Sequence, residues 1–542
     1  MILNSTARSA LWTRLVDGEP WDLIIIGGGI TGAGLLREAS RRKLKALLVE
    51  QRDFAWGSSS RSSKLVHGGL RYLKQGHIKL TLDTVLERER LLKDAPGLVT
   101  PLGFLLPTPK SARFSRLLYG TGLALYDWMA GKRTHSHFNA AAFEAKAPHL
   151  GMAPVTGGFE FFDAQTDDAR LTVRLVLESL VDGGAALNYA RADSLLREGS
   201  EVVGVRLADG VSGLQVEVRA RAVVNATGAW ADRLRKEVNA PPRIRPLRGS
   251  HLVFSARRFP LGEAFSVEHP RDHRPVYAFP WEGVTVLGTT DLDHHAPLDA
   301  EPRISVDEVK YLMEVCDAWF PKLQLGLEDV MGTFAGIRPV VGSGAAKPSD
   351  ESREAAVWQE NGLLTLTGGK LTTFRLTAIE ALEKLRSRLP AGAKVEGDAP
   401  LLEGSPELSS GLLSPEQAAR IGGRYGLHAG DLVAAAHPGE LEAWPETPVC
   451  PAELRWSARA EGIVHLEDLM LRRSRIGVTY MNGAMGLLPQ IRRICQPELR
   501  WSDATWEREE AAYRLLWNSA YGLPAELKEG QETLAEVISA TA

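Results

Sequence analysis

Residues 21–50 read WDLIIIGGGITGAGLLREASRRKLKALLVE, and the order of signals in this stretch decides the fold class. Leu23 to Ile26 is a short apolar run rich in β-branched residues, which suits a strand buried on both faces. Gly27, Gly29 and Gly32 follow at once in the spacing G-x-G-x-x-G. A helical pattern with Leu35 and Ala39 on one face comes next, then a second buried strand, Ala46 to Val49, that ends in Glu50. Gly27 permits the tight turn, Gly29 lets backbone approach a pyrophosphate, and Gly32 lets helix and strand pack closely. The helix start offers N–H groups and a positive dipole end to phosphates. Glu50 stands roughly 20 residues beyond the motif, where an acid accepts hydrogen bonds from an adenosine ribose. Strand, turn, helix, strand and acid in order predict a dinucleotide site, without choosing between NAD and FAD.

The rest of the chain bounds the class. At 542 residues it exceeds one ordinary core, so two or three domains are expected. Its 44% hydrophobic and 24% charged residues are those of a globular protein. A net charge of −3 gives no global basic character, which argues against nucleic acid. Cys316, Cys450 and Cys495 are far apart and form no C-x-x-C, so they fit a reducing compartment rather than a disulfide or zinc framework. The first residues lack a signal-peptide core, and no run approaches the roughly 20 apolar residues of a membrane span. A cytosolic protein, able to touch a membrane surface, is the expectation.

Two further strand ends look like the first. Ala222 to Val224 reads as a buried strand stopping in Asn225-Ala226-Thr227-Gly228, and Leu363 to Leu366 as another opening through Gly368-Gly369-Lys370 into a helix over 376–389. Small residues at several strand ends favour a large cofactor over a lone phosphate. Val202 to Leu207 and Leu214 to Val218 alternate like a hairpin, and 243–300 reads as an inserted antiparallel sheet. Five serines between Ser58 and Ser63 read either as a linker or as hydroxyls lining the cofactor. Asp291, Asp293, His294 and His295 lack fixed ligand spacing, so a solvated turn is the default and no metal is expected. Basic residues Lys110, Arg113, Arg116, Lys132 and Arg133 flank an apolar, aromatic stretch that suits either an interfacial helix or one packed on the core. A Gly-, Pro- and Ser-rich segment near 387–411 marks a boundary, and 414–542 reads as helices with no redox or hydrolytic constellation.

Taken together, IIIGGGITGAG (24–34), SSSRSSKLVHGGLRYL (58–73), VVNATGAWAD (223–232), RGSHLVF (248–254), LGTTD (287–291), GIRPV (336–340), GGKLTTFR (368–375) and HLEDLMLRRSRIG (465–477) resemble the FAD-dependent glycerol-3-phosphate dehydrogenases. The resemblance spans about residues 20 to 520. It implies an α/β fold: a Rossmann-like FAD-binding domain, discontinuous over about 20–240 and 330–400, with an antiparallel β substrate domain inserted at about 243–330. A C-terminal helical domain covers 401–542. It implies noncovalent FAD held by Gly27, Gly29, Thr31, Gly32, Glu50, Ser59, Ser63, Gly68, Ala226, Thr227, Gly228, Gly369, Lys370, Leu371 and Thr372. Arg71, Tyr72, His251, Arg338, Arg353 and Lys370 would form the pocket for sn-glycerol 3-phosphate, with His251, Arg338 and Lys370 the catalytic set. His251 is the expected base, since its ordinary pKa near 6.5 suits proton abstraction at neutral pH, and Arg338 ranks second. The resemblance also implies electron transfer to membrane quinone, peripheral attachment to the inner face of the cell membrane, and an open question of a homodimer. A glycerol-3-phosphate oxidase using oxygen, and a non-catalytic flavin-binding membrane-surface protein, remain the alternatives.

Overall fold

The computed structural model describes residues 2–70, 73, 76–109, 115–151, 155–342, 344, 351, 354–395, 399–408, 411 and 413–527. Two sheets organise it. In the first, Ala355–Glu360, Leu363–Gly368, Gln215–Asn225, Trp21–Ile26, Ala46–Val49 and Ala185–Leu187 lie side by side in that order. All neighbours are parallel except the first pair, a hairpin. Leu23, Ile24 and Ile25 are fully buried, as the apolar run requires when both faces are covered. The helix Ile30–Arg41 packs on one face beside Asp168–Val181 and Phe374–Lys384, and their apolar sides close one core with Leu23, Ile25 and Leu48.

The expected hairpin strand over 214–218 and the buried strand over 222–224 are one strand, Gln215–Asn225. Its first half pairs antiparallel with Glu201–Asp209, and its second half runs parallel beside Trp21–Ile26. The turn in patterning between the halves reflects a change of environment, half-exposed then fully buried, and not a break in the chain.

Among the described residues the second sheet has ten strands, one of them the short Leu292–Asp293 paired with Ile244–Ser255. Ile244–Ser255 pairs antiparallel with Val330–Val341 and Val284–Gly288, and Pro275–Trp281 and Ala264–Glu268 continue it. The inserted segment does not build this sheet alone. Leu65–Val66, Val99–Pro109, Ser136–Asn139 and Val155–Thr166 complete it, joined through a parallel pairing of Ala264–Glu268 with Val99–Pro109. Alternation along Ile244–Ser255 sends Leu252 and Phe254 into a core with Val309, Leu312 and Val315 of the helix Val306–Trp319, while Val253 faces a second core. That second core includes Leu466, Met470, Trp506, Tyr513 and Trp517 of the C-terminal helices.

The C-terminal helices are also fastened by buried ion pairs. The Asp53 carboxylate accepts from Arg472 Nε at 2.6 Å and from Arg473 Nη1 and Nη2 at 2.7 Å. Arg170 grips Glu461 with two bonds of 2.6 Å. Burial of such groups is tolerable only because each has charged partners. Leu466–Arg473, read as a plain helix, is mostly a π-helical turn, Asp468–Arg473, followed by Ile476–Thr479.

Candidate active site

The carboxyl ends of three parallel strands, Ile26, Asn225 and Gly368, open on one cleft of about 1590 Å³. Strand ends at the centre of a doubly wound sheet are where such folds hold ligands. At the first, Gly27 has φ +116°, and a Cβ there would lie 2.5 Å from the Ala226 carbonyl oxygen. At the second, Asn225 shapes the turn: its Oδ1 accepts from Thr227 Oγ1 at 2.7 Å and its Nδ2 donates to Ala231 O at 2.9 Å. At the third, Gly368 and Gly369 have φ +70° and +77°, and Lys370 then leads the turn Leu371–Thr373 into the helix Phe374–Lys384. Gly27, Gly29, Thr31, Glu50, Ser59, Ser63, Ala226, Thr227, Gly228, Gly369, Lys370, Leu371 and Thr372 line the cleft. Gly32 and Gly68 stand behind its wall. A Cβ on Gly32 would overlap the Gly27 carbonyl, and one on Gly68 would strike Tyr126 and Val85.

These residues fit a flavin dinucleotide. The helix Ile30–Arg41 starts at Gly29 with no side-chain cap of its own, and Ser59 Oγ accepts from Ile30 N at 2.8 Å. Glu50 accepts from Gly28 N at 2.7 Å and Arg52 N at 2.9 Å. Burial raises its pKa despite those two donors. A carboxylate has about four lone-pair sites, so capacity for ribose hydroxyls remains. The cradle is thus bare backbone where a pyrophosphate would lie and acidic where a ribose would.

Cations also line the cleft. Arg338, on the strand Val330–Val341, lies across Gly249 of the neighbouring strand, where any side chain would collide with the guanidinium. It donates to Asp291 Oδ1 at 3.0 Å, Thr289 Oγ1 at 2.9 Å and Thr290 O at 3.3 Å. Asp291 is buried and also pairs with Arg274 at 3.4 Å. So Asp291 is not part of a solvated turn, and Asp293 is likewise taken, by Arg245 at 2.7 Å. Lys370 and Arg338, drawn from different sheets, face the same cleft, together with Arg274 and His67. Arg71, Tyr72 and Arg353 lie outside the described residues.

His251, the expected base, lies behind the wall of the cleft. It is 1% exposed and forms no part of the cleft lining. Its ring stacks on Phe334, centroids 4.5 Å apart, and its Nε2 lies 2.9 Å from Ser63 Oγ, which does line the cleft. Burial, then the nearby cations Arg338 and Lys64, push its pKa well below the usual value near 6.5. The backbone around it is fixed by Glu308, which accepts from Ser250 Oγ at 2.8 Å, Thr290 Oγ1 at 2.6 Å and Arg248 Nη2 at 2.7 Å. Sequence reasoning missed Asp291, Gly249, Glu308 and Arg274. The first two sit inside quoted motifs, but an acid after two threonines and a glycine in a strand carry no sign of their guanidinium neighbour.

The model of the FAD dependent oxidoreductase family matches residues 22–418, and that of the C-terminal domain of alpha-glycerophosphate oxidase matches 366–506. An aerobic glycerol-3-phosphate dehydrogenase of Staphylococcus haemolyticus is 32% identical over 510 residues, covering 89% of this chain and 91% of the relative. The chain belongs to this family of FAD-dependent dehydrogenases. The Bacillus subtilis aerobic glycerol-3-phosphate dehydrogenase is 38% identical over 401 residues, covering 73% of this chain and 71% of its own. A solved glycerol-3-phosphate dehydrogenase from Bacillus halodurans, complexed with FAD, superposes with a TM-score of 0.76 at 26% identity, covering 95% of this chain and 98% of that one. The family's cofactor, FAD, agrees with the cradle described above, and the protein is an FAD-dependent oxidoreductase.

Proposed function

We propose that the protein oxidises sn-glycerol 3-phosphate at C2 to dihydroxyacetone phosphate and passes the electrons to quinone at a membrane surface. The observation that carries the reading is that Arg338 and Lys370 both line the cleft that the glycine turns also line. A phosphate dianion calls for cations, a forked guanidinium or a point-charge ammonium. Lys370 is assigned to the phosphate, joined by Arg71, Tyr72 and Arg353. Arg338, held by Asp291 and Thr289, is assigned to the C2 oxygen, whose negative charge grows as its proton leaves. The C2 hydroxyl donates its proton to Ser63 Oγ while Ser63 gives its own to His251 Nε2, so the buried imidazole receives the proton without touching substrate. Bound FAD supplies the acceptor for the C2 hydride.

The acceptor is read from the cleft's apolar side. Leu118, Leu125, Leu73, Ile78 and Leu106 line it there, and the helix Ser115–Ala130 is apolar on both faces. Leu123, Tyr126 and Met129 pack inward, while Leu117 and Trp128 are 71% and 74% exposed. An exposed apolar face suits a helix lying in a bilayer interface; of the basic residues near it in sequence, Lys132 pairs with Glu89, and Lys110 and Arg113 lie outside the described residues. Among the described residues no helix is long and apolar enough to cross a membrane. Anaerobic bleaching of the flavin by glycerol 3-phosphate, reversed by added quinone, tests the reading. A flavin that keeps its colour would exclude the activity, and stoichiometric peroxide in air without quinone would move the assignment to an oxidase.

A further inference from the structure

Lys64 is fully buried, and the proposed reaction gives it no task. It follows Ser63 directly, in a left-handed backbone conformation of φ +59° held by Thr166 N donating to its carbonyl at 2.8 Å. Its ammonium donates to both Asp168 oxygens at 2.9 Å and to Ser60 O at 2.7 Å. The same ammonium sits 4.7 Å over the centre of the Phe334 ring, on which His251 stacks. Asp168 also accepts from Ser62 N at 2.9 Å and Ser62 Oγ at 2.7 Å, so one carboxylate fixes both sides of Ser63.

We propose that Lys64 is a positioning residue for proton transfer: seated on Phe334 and clamped by Asp168, it holds Ser63 and His251 in register and keeps the imidazole an empty acceptor. This rests on the reading of His251 as the proton's destination. The charged groups facing His251 are Arg338 from the strand Val330–Val341 and Lys64 from the serine-rich segment, both positive. Those facing Lys64 are Asp167 and Asp168 at the start of the helix Asp168–Val181, and Arg475 from the C-terminal helices. Arg475 Nη2 shares the Ser60 carbonyl with Lys64 at 2.8 Å, so the C-terminal helices reach the proton path through this cluster. Burial pushes the Lys64 pKa down to about 7 against the pull of Asp168. Its charge is therefore complete at acid pH, where an imidazole would otherwise pick up a proton from water instead of from substrate.

The test compares the pH dependence of kcat/KM, and 15N spectra of histidine-labelled FAD-loaded protein without substrate, in the parent, Lys64→Met, Lys64→Arg and Lys64→Met/Asp168→Asn. Removing the cation should move the acid limb and the His251 protonation step up by about one pH unit, the interaction of two charges one aromatic ring apart at an effective dielectric near 20. Lys64→Arg should restore the parent profile. The double variant leaves no buried carboxylate without a partner and serves where Lys64→Met fails to fold. A merely structural lysine would lower FAD content or yield without moving either titration, and that result would overturn the inference. His251→Gln assigns the resonance and separates the two failures. If the acid limb survives in His251→Gln, the proton-acceptor reading falls. If it vanishes there yet stands still in the Lys64 variants, only the role of Lys64 falls.

Discussion

Ser63 Oγ lies 2.9 Å from His251 Nε2, and of the two only Ser63 meets the cleft. The imidazole is therefore reached through a hydroxyl. Ser63→Ala should cut kcat by about 10²–10³, within the range for general acid–base catalysis, and lower FAD content far less than that. His251→Gln should do the same. Because the native His251 pKa is depressed, its neutral form persists from ordinary pH downward past 6.5. The acid limb of kcat/KM should accordingly fall below pH 6.5, and a limb centred at or above that value would contradict the assignment.

The roles proposed for Arg338 and Lys370 predict separable effects on substrate recognition. Lys370→Ala should raise KM for glycerol 3-phosphate far more than it lowers FAD content, with kcat/KM down by roughly 10²-fold or more, as for loss of one buried charge-assisted bond. Arg338→Lys should recover only part of the loss of Arg338→Ala, because the guanidinium spans Asp291 and Thr289 at once and an ammonium does not. Both variants should purify yellow. Normal turnover in either would remove it from the pocket.

The parts legible in the sequence are those with local causes. The glycine turn at 27–32, the parallel strands and the small-residue strand ends are set by backbone sterics within a few residues, and they appear in the structure where they were read. The second sheet was only half legible. Its strands at 99–109 and 155–166 pair with partners far along the chain, and no local pattern names the partner. The active site shows the same division. The place of Lys370 in the cleft lining was legible because it follows two glycines at a strand end. The burial of His251 behind Ser63, and the pairing of Arg338 with Asp291, depend on strand register across the second sheet, which periodicity alone does not supply.

Asp53 joins the nucleotide-binding sheet to the C-terminal helices, and its loss should be costly. Asp53→Asn leaves buried Arg473 facing a neutral partner, while Arg472 keeps Asp468 and Glu467, and should destabilise the protein by about 3 kcal/mol at neutral pH in urea unfolding. Burial opposes ionisation of Asp53, but Arg473 and Arg472 more than offset it, so its native pKa is lowered. The unfolded chain then binds the proton first. The stabilisation is complete above the unfolded value near pH 4 and is lost as pH falls through the lower native value. The variant should therefore show a flatter decline of stability below about pH 4 than the parent. Equal acid slopes would mean that the two arginines find other partners.

The outward face of the helix Ser115–Ala130 should govern membrane attachment separately from chemistry. Leu117 and Trp128 point away from both the core and the cleft lining, so replacing them leaves the reaction's residues untouched. Leu117→Asp/Trp128→Asp should abolish sedimentation with anionic phospholipid vesicles, since each substitution exchanges roughly 2 kcal/mol or more of apolar transfer for a charge repelled by the headgroups. Turnover with a water-soluble artificial acceptor should remain at the parent level, while turnover with a long-chain quinone in vesicles should fall in proportion to binding. Vesicle attachment in the parent should also weaken with salt in its electrostatic part, which the sequence assigns to the basic residues on either side of the apolar stretch. A double variant that sediments like the parent would show that the apolar face does not meet the bilayer, and would withdraw the support it gives to quinone over oxygen.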